Sequence, residues 1–246
     1  MIEAIFYLLA ITAAELITIY GDPIWGIVSH IAILIMVILQ AAVDWRCPHR
    51  QLILSLALVP LVRIVSLSMP LVGIPQLWWY PIIYTPLLAA AIVVMRALGY
   101  GARDVGLNLN MLWAQLLIAL TGIGLGVAEY LILQPEAMVA EFTWQAVWLP
   151  ALLLSVCTGF VEEFIFRGVL QYAAVEAFGW WGVVYVSLLF AILHVGFLSW
   201  IDVAFVFAVA LFFGRAVKKT GSLWGVVLSH GITNVVLYLI APFLLN

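Results

Sequence analysis

Charge is what this sequence has least of. Lys, Arg, Asp and Glu make up 9% of its 246 residues, against roughly 25% in soluble domains. Hydrophobic residues make up 67%. That balance excludes a water-soluble globule, and nine dispersed cations exclude a basic groove for nucleic acid. Cysteine is almost missing too. Cys47 falls in a basic stretch and Cys157 inside an apolar run, which excludes a disulfide framework and a two-cysteine metal site. The opening Met-Ile-Glu-Ala-Ile-Phe has no basic n-region, so residues 2–20 read as a retained membrane helix. Neither end carries a lipidation motif. No internal repeat of the kind that builds many transporters is visible.

What is there is a series of long apolar runs. A bilayer core of roughly 30 Å needs about 20 apolar residues per helix. Nine runs qualify: 2–20, 24–44, 52–69, 77–97, 111–133, 145–175, 180–198, 202–217 and 222–243, the eighth being the shortest. Turn formers or charges separate them, as in Gly21-Asp22-Pro23 and Lys218 to Gly221. The expected fold is therefore all-α, a polytopic membrane bundle of eight to nine helices. Charge segregation agrees with nine. Arg46, Arg50, Arg96, Arg103, Arg215, Lys218 and Lys219 all fall on one side, while the opposite loops hold Asp22, Glu136, Glu141 and Asp202. By the positive-inside rule the N-terminus is cytoplasmic and the C-terminus outside.

A carboxylate or a cation inside such a run costs about 2.5–3.5 kcal/mol on insertion scales, so intramembrane polar groups mark candidate sites. The densest set is Glu162, Glu163 and Arg167 in the sixth run, His194 in the seventh, and His230 with Asn234 in the ninth. Glu163 and Arg167 are four apart and can pair on one helix face. At 1.5 Å per residue, Glu162 lies roughly 15–20 Å from the cytoplasmic end, with His194, His230 and Asn234 at roughly 21, 12 and 18 Å. Three helices thus deliver a carboxylate, two imidazoles and an amide to one slab. A carboxylate that activates water, with donors for an oxyanion, is sufficient for peptide hydrolysis without a serine nucleophile. The same groups also suit a proton-coupled transporter, and spacing alone leaves both readings open.

The motifs resemble the CPBP family, the CAAX proteases and bacteriocin-processing enzymes that include type II CAAX prenyl proteases. Glu162-Glu163-Phe-Ile-Phe-Arg167, Phe190-Ala-Ile-Leu-His194 and His230-Gly-Ile-Thr-Asn234 stand in order for that family's Glu-Glu-x-x-x-Arg, Phe-x-x-x-His and His-x-x-x-Asn/Asp. The resemblance covers about residues 145–240. It implies a glutamate-type intramembrane endopeptidase in which Glu162 is the base, His194 assists it, His230 and Asn234 form the oxyanion hole, and Glu163 and Arg167 support. It divides the chain into a catalytic core, 145–246, and N-terminal helices, 1–144, that would select substrate. The implied partners are a membrane-anchored protein, perhaps cut near its C-terminus, and the lipid bilayer, in a prokaryotic plasma membrane. No His-Glu-x-x-His is present, so no cofactor is expected; zinc on His194, His230 and Glu162 is the alternative. A non-catalytic immunity protein or chaperone on the same fold is a further alternative.

Outside the motifs, His30, Glu129 and the tryptophans have only structural readings, and Gly122, Gly124 and Gly126 read as helix-packing positions. Arg63 is different. It lies roughly 16 Å into the third run, level with Glu15 in the first, and a cation at that depth should have a partner. An Arg63–Glu15 pair is expected, with Arg63 a candidate substrate-binding residue.

Overall fold

The computed structural model describes residues 2–43 and 49–245; Arg46 and Cys47 lie outside the described residues. All regular structure among them is helical. Nine segments are long and apolar enough to cross a membrane: α1 Ile2–Tyr20, α2 Pro23–Val43, α3 Arg50–Ser68, α4 Gln76–Ala97, α5 Leu112–Leu133, α6 Trp144–Phe178, α7 Trp180–Phe197, α8 Trp200–Thr220 and α9 Trp224–Leu244. Large apolar side chains such as Ile35, Leu39, Leu117 and Leu120 face outward, as lipid requires. One apolar core runs from Ala4 in α1 to Val227 in α9. This is an integral, multi-pass membrane protein.

The apolar runs locate the helices well, and the departures have local causes. In α3 the helix breaks at Leu56–Ala57. Pro60 has no N–H to donate to Leu56, whose carbonyl is taken instead by Val59 at 3.1 Å. In α6 the α-helix opens into π-helix over Leu154–Glu162 and Phe164–Leu170. The hydroxyls of Ser155 and Thr158 donate back to the carbonyls of Ala151 and Leu154. Such bonds compete with the α-helical amides for those acceptors. In α7 the α-helix ends at Ile192, and a 3₁₀ turn, Val195–Phe197, follows. His194 therefore sits at a helix end and not in a continuous span.

Small residues set the spacing around α9. A Cβ on Gly122 would lie 2.3 Å from the Ser229 carbonyl, and one on Gly126 would lie 2.6 Å from that of Thr233. On the other flank, a Cβ on Gly159 would lie 3.0 Å from the Gly231 amide. So α9 is pressed backbone to backbone between α5 and the π-helical part of α6. Gly124, expected in the same packing role, faces open space; at two residues from its neighbours it lies on another side of the helix.

Candidate active site

The π stretch and α9 together position the polar groups. Gly159 lets α9 approach, which carries His230 and Asn234 to the level of Glu162 and Glu163. The α7 break adds His194, and α3 adds Arg63. Glu162, Glu163, Arg167, His194, His230, Asn234 and Arg63 all line one cavity of about 300 Å³, at the small end of ligand pockets. The shared depth read from the sequence is therefore a shared cavity.

Glu163 is the hub. Its Oε1 accepts from Arg167 Nη1 at 3.0 Å and from His230 Nδ1 at 2.8 Å. The Arg167 guanidinium lies 4.1 Å from the centre of the Phe190 ring, and Glu163 and Arg167 are both buried. Helical spacing had joined Glu163 to Arg167; the tie to His230 crosses helices and left no trace in the spacing. Because a carboxylate only accepts, the Nδ1 of His230 carries a proton and its Nε2 is the nitrogen left for other work. That Nε2 lies 3.9 Å from Glu162 Oε2.

Glu162 keeps 19% of its side-chain surface accessible. Its Oε1 accepts the phenolic hydrogen of Tyr84. Tyr84 comes from α4 and stacks with Tyr80, one turn away, at 6.4 Å. The hydrogen bonds of Glu162 thus lead to Tyr84, not to His194. The Nδ1 of His194 lies 2.9 Å from the Phe190 carbonyl, which can only accept, so Nε2 is left as an acceptor in the cavity wall. Asn234 gives one amide hydrogen to Thr158 Oγ1 at 2.7 Å. The Thr158 hydroxyl is itself spent on Leu154, which fixes the amide's direction and leaves its second hydrogen uncommitted.

Sequence reasoning missed Tyr84, Tyr80, Tyr238 and Glu129, which also line the cavity. Tyrosines are inexpensive in a membrane helix and read as interface residues. Glu129, given only a structural reading from the sequence, shares the cavity with Glu162. The spacing of Tyr80 and Tyr84, one helical turn apart, was a usable signal.

Among the described residues no three His, Cys, Asp or Glu side chains are gathered tightly enough to hold an ion. Of the three zinc ligands considered from sequence, Glu162 accepts from Tyr84, while His230 and His194 are each bonded through Nδ1 and keep Nε2 open.

Arg63 donates through Nε to Glu15 Oε1 at 2.6 Å, as the depths required. His30 joins them, its Nε2 3.0 Å from the same Glu15 oxygen, and both Glu15 and His30 are fully buried. His30, read from the sequence as structural, thus has a buried acidic neighbour that sequence reasoning missed. The α1–α2 hairpin is tight, with Gly26 against Thr18, and this close antiparallel packing brings His30 opposite Glu15.

No match to the chain was found among curated proteins or solved structures. Residues 143–236 match the family model described as type II CAAX prenyl endopeptidase Rce1-like, and this segment supplies Glu162, Glu163, Arg167, His194, His230 and Asn234. The cavity of this membrane protein is thus lined largely by the segment that matches the Rce1-like family model.

Proposed function

We propose that the chain is an intramembrane endopeptidase in which Glu162 activates the water that hydrolyses a peptide bond of a membrane-tethered protein. The observation that carries this reading is the convergence of Glu162, His194, His230 and Asn234 on one cavity, in a segment matching an endopeptidase family. Glu162 takes a proton from water, with His194 Nε2 accepting the water's other hydrogen bond. The hydroxide oxygen bonds to the carbonyl carbon, and the carbonyl electrons move to oxygen. Asn234 donates its uncommitted N–H to that oxyanion, and His230, when doubly protonated, donates from Nε2. Collapse breaks the C–N bond, and the leaving nitrogen takes the proton held by Glu162. The products are a carboxylic acid and an amine, between which a proton then passes, and Glu162 is again a carboxylate. Tyr84 orients the base, while Glu163 and Arg167 hold His230.

By this reading the substrate is a membrane-anchored protein, helices before residue 145 select it, and the enzyme works in a prokaryotic plasma membrane. The test compares membrane proteomes of cells carrying the wild-type or the Glu162→Gln protein. A precursor that accumulates only with the variant, and is cut in vitro by purified wild-type enzyme, is the expected result. Identical proteomes, with substrate flux across the membrane lost in the variant, would establish a transporter instead. Activity is expected to survive exhaustive chelation; loss with rescue by zinc would overturn the metal-free chemistry.

A further inference from the structure

The cavity is not centred between the two faces of the bundle. Ser66, Tyr80, Glu129 and Phe197 line it within about one turn of the ends of α3, α4, α5 and α7. Those ends all lie on one side, away from the basic loops that hold Arg96, Arg103, Lys218 and Lys219. Burial follows the same axis. Phe197 on the rim is 50% exposed, whereas Glu163, Phe166, Arg167 and Phe213 in the deeper wall are buried. Trp79 and Trp200, near the rim ends of α4 and α8, are exposed, as aromatic residues at a membrane–water interface are.

The basic side is plugged. The α4–α5 connection crosses to the α8–α9 connection, where Leu223 N donates to the Gly106 carbonyl at 2.9 Å. Asn108 Nδ2 donates to the Gly221 carbonyl at 2.6 Å, and Ser222 Oγ to the Asn108 carbonyl at 2.7 Å. Val105 and Leu223, both buried, rest on Gly168. A Cβ there would lie 3.2 Å from the Val105 carbonyl and 3.3 Å from Leu223 Cδ1. Gly168 follows Arg167, so these connections close the bundle directly behind the deep wall of the cavity.

We infer that the cavity opens to the extracytoplasmic side, and that the substrate is a membrane-anchored chain whose scissile segment has already crossed the bilayer. This rests on the protease reading and adds the side on which it acts. The positive-inside rule sets which face is cytoplasmic, and the burial gradient sets which face is open. From the cytoplasm, a charged segment would reach Glu162 only through the plug or through the lipid core, where each charge is costly. From the outer face it passes only the rim. Translocation therefore precedes cleavage, and the enzyme acts on exported proteins that stay anchored.

The first arm of the test needs no substrate. The full-length protein, with Cys47→Ser and its buried Cys157 kept, is expressed in bacteria and treated with a membrane-impermeant maleimide. Ser66→Cys is expected to react in intact cells, and Lys218→Cys only after permeabilisation. Ser66→Cys that reacts only after permeabilisation, or not at all, overturns the inference, as does Lys218→Cys that reacts from outside. The second arm uses the wild-type protein in right-side-out and inverted vesicles. The probe is a mixed-sequence library of N-terminally palmitoylated peptides, each with lysines that hold it on the side of addition. Cleavage is read by mass spectrometry, with Glu162→Gln as the blank. It should be at least about tenfold faster in right-side-out vesicles, because charge rarely crosses the lipid core. Equal or faster cleavage in inverted vesicles overturns the inference. Labelling of Ser66→Cys from outside, without cleavage from either side, would sink the protease reading and leave the extracytoplasmic opening standing.

Discussion

Two clusters of the same three residue types sit in this molecule and face the cavity in opposite ways. In each, one glutamate oxygen is shared by an arginine and a histidine, and the second oxygen is buried without a partner. In the α1–α2–α3 cluster the histidine, His30, is sealed and the arginine, Arg63, reaches the cavity. In the α6–α9 cluster Arg167 is sealed and the histidine, His230, reaches the cavity. The glutamate anchors in both, so the exposed member decides what each cluster offers. One presents a fixed cation suited to binding, the other an imbalance-tolerant imidazole suited to proton chemistry.

Glu163→Ala is the sharpest way to break the comparison. It strands Arg167 and frees His230 together, so a loss of about 3–5 kcal/mol in stability should accompany a fall in kcat of at least about a hundredfold. Thermal unfolding in detergent and steady-state kinetics read the two effects. Glu15→Ala should cost similar stability but spare kcat in the protein that folds, raising KM instead. Equal kcat losses would show that the two clusters are not specialised. Asn234→Ala, which touches neither glutamate, should lower kcat by roughly 10²–10³ with little change in unfolding temperature.

Arg63→Met should destabilise by a few kcal/mol, with Glu15→Gln on top recovering much of it, because the stranded buried charge is the main cost. A double variant no more stable than the single one would argue that packing of the Arg63 stem, not charge, holds that cluster. His30→Gln should have the smallest effect, about 1 kcal/mol or less. Its Nε2 is close to Glu15 but not aligned as a hydrogen bond. A larger loss would make His30 an equal partner.

Much of this was legible because insertion cost writes itself into composition. The nine spans follow from hydropathy, and Arg63 finds Glu15 because a buried cation and an acid at one depth have few alternatives. The three motif segments point to one cavity for the same reason. What stayed hidden depends on geometry that residue types do not encode. The π-helix has no periodic signature in a segment that is apolar on every side. His30 escaped because depth was counted along each helix alone; counting residues from the Gly21-Asp22 turn in both directions puts it opposite Glu15. The tie from Glu163 to His230 and the Tyr84 bond to Glu162 both cross between helices that are distant in the chain. Only packing reveals them.

The narrow seat of α9 has a consequence for biosynthesis. Ser229 and Thr233 rest on Gly122 and Gly126 while Gly231 meets Gly159, so the ninth helix fits a slot already bounded by the fifth and sixth. It also brings His230 and Asn234, and it is translated after every other helix that contributes to the cavity. Until it inserts, the cavity lacks His230 and Asn234, and by the proposed mechanism the nascent chain is inactive. By that mechanism the chain gains its activity only after its other helices are in place.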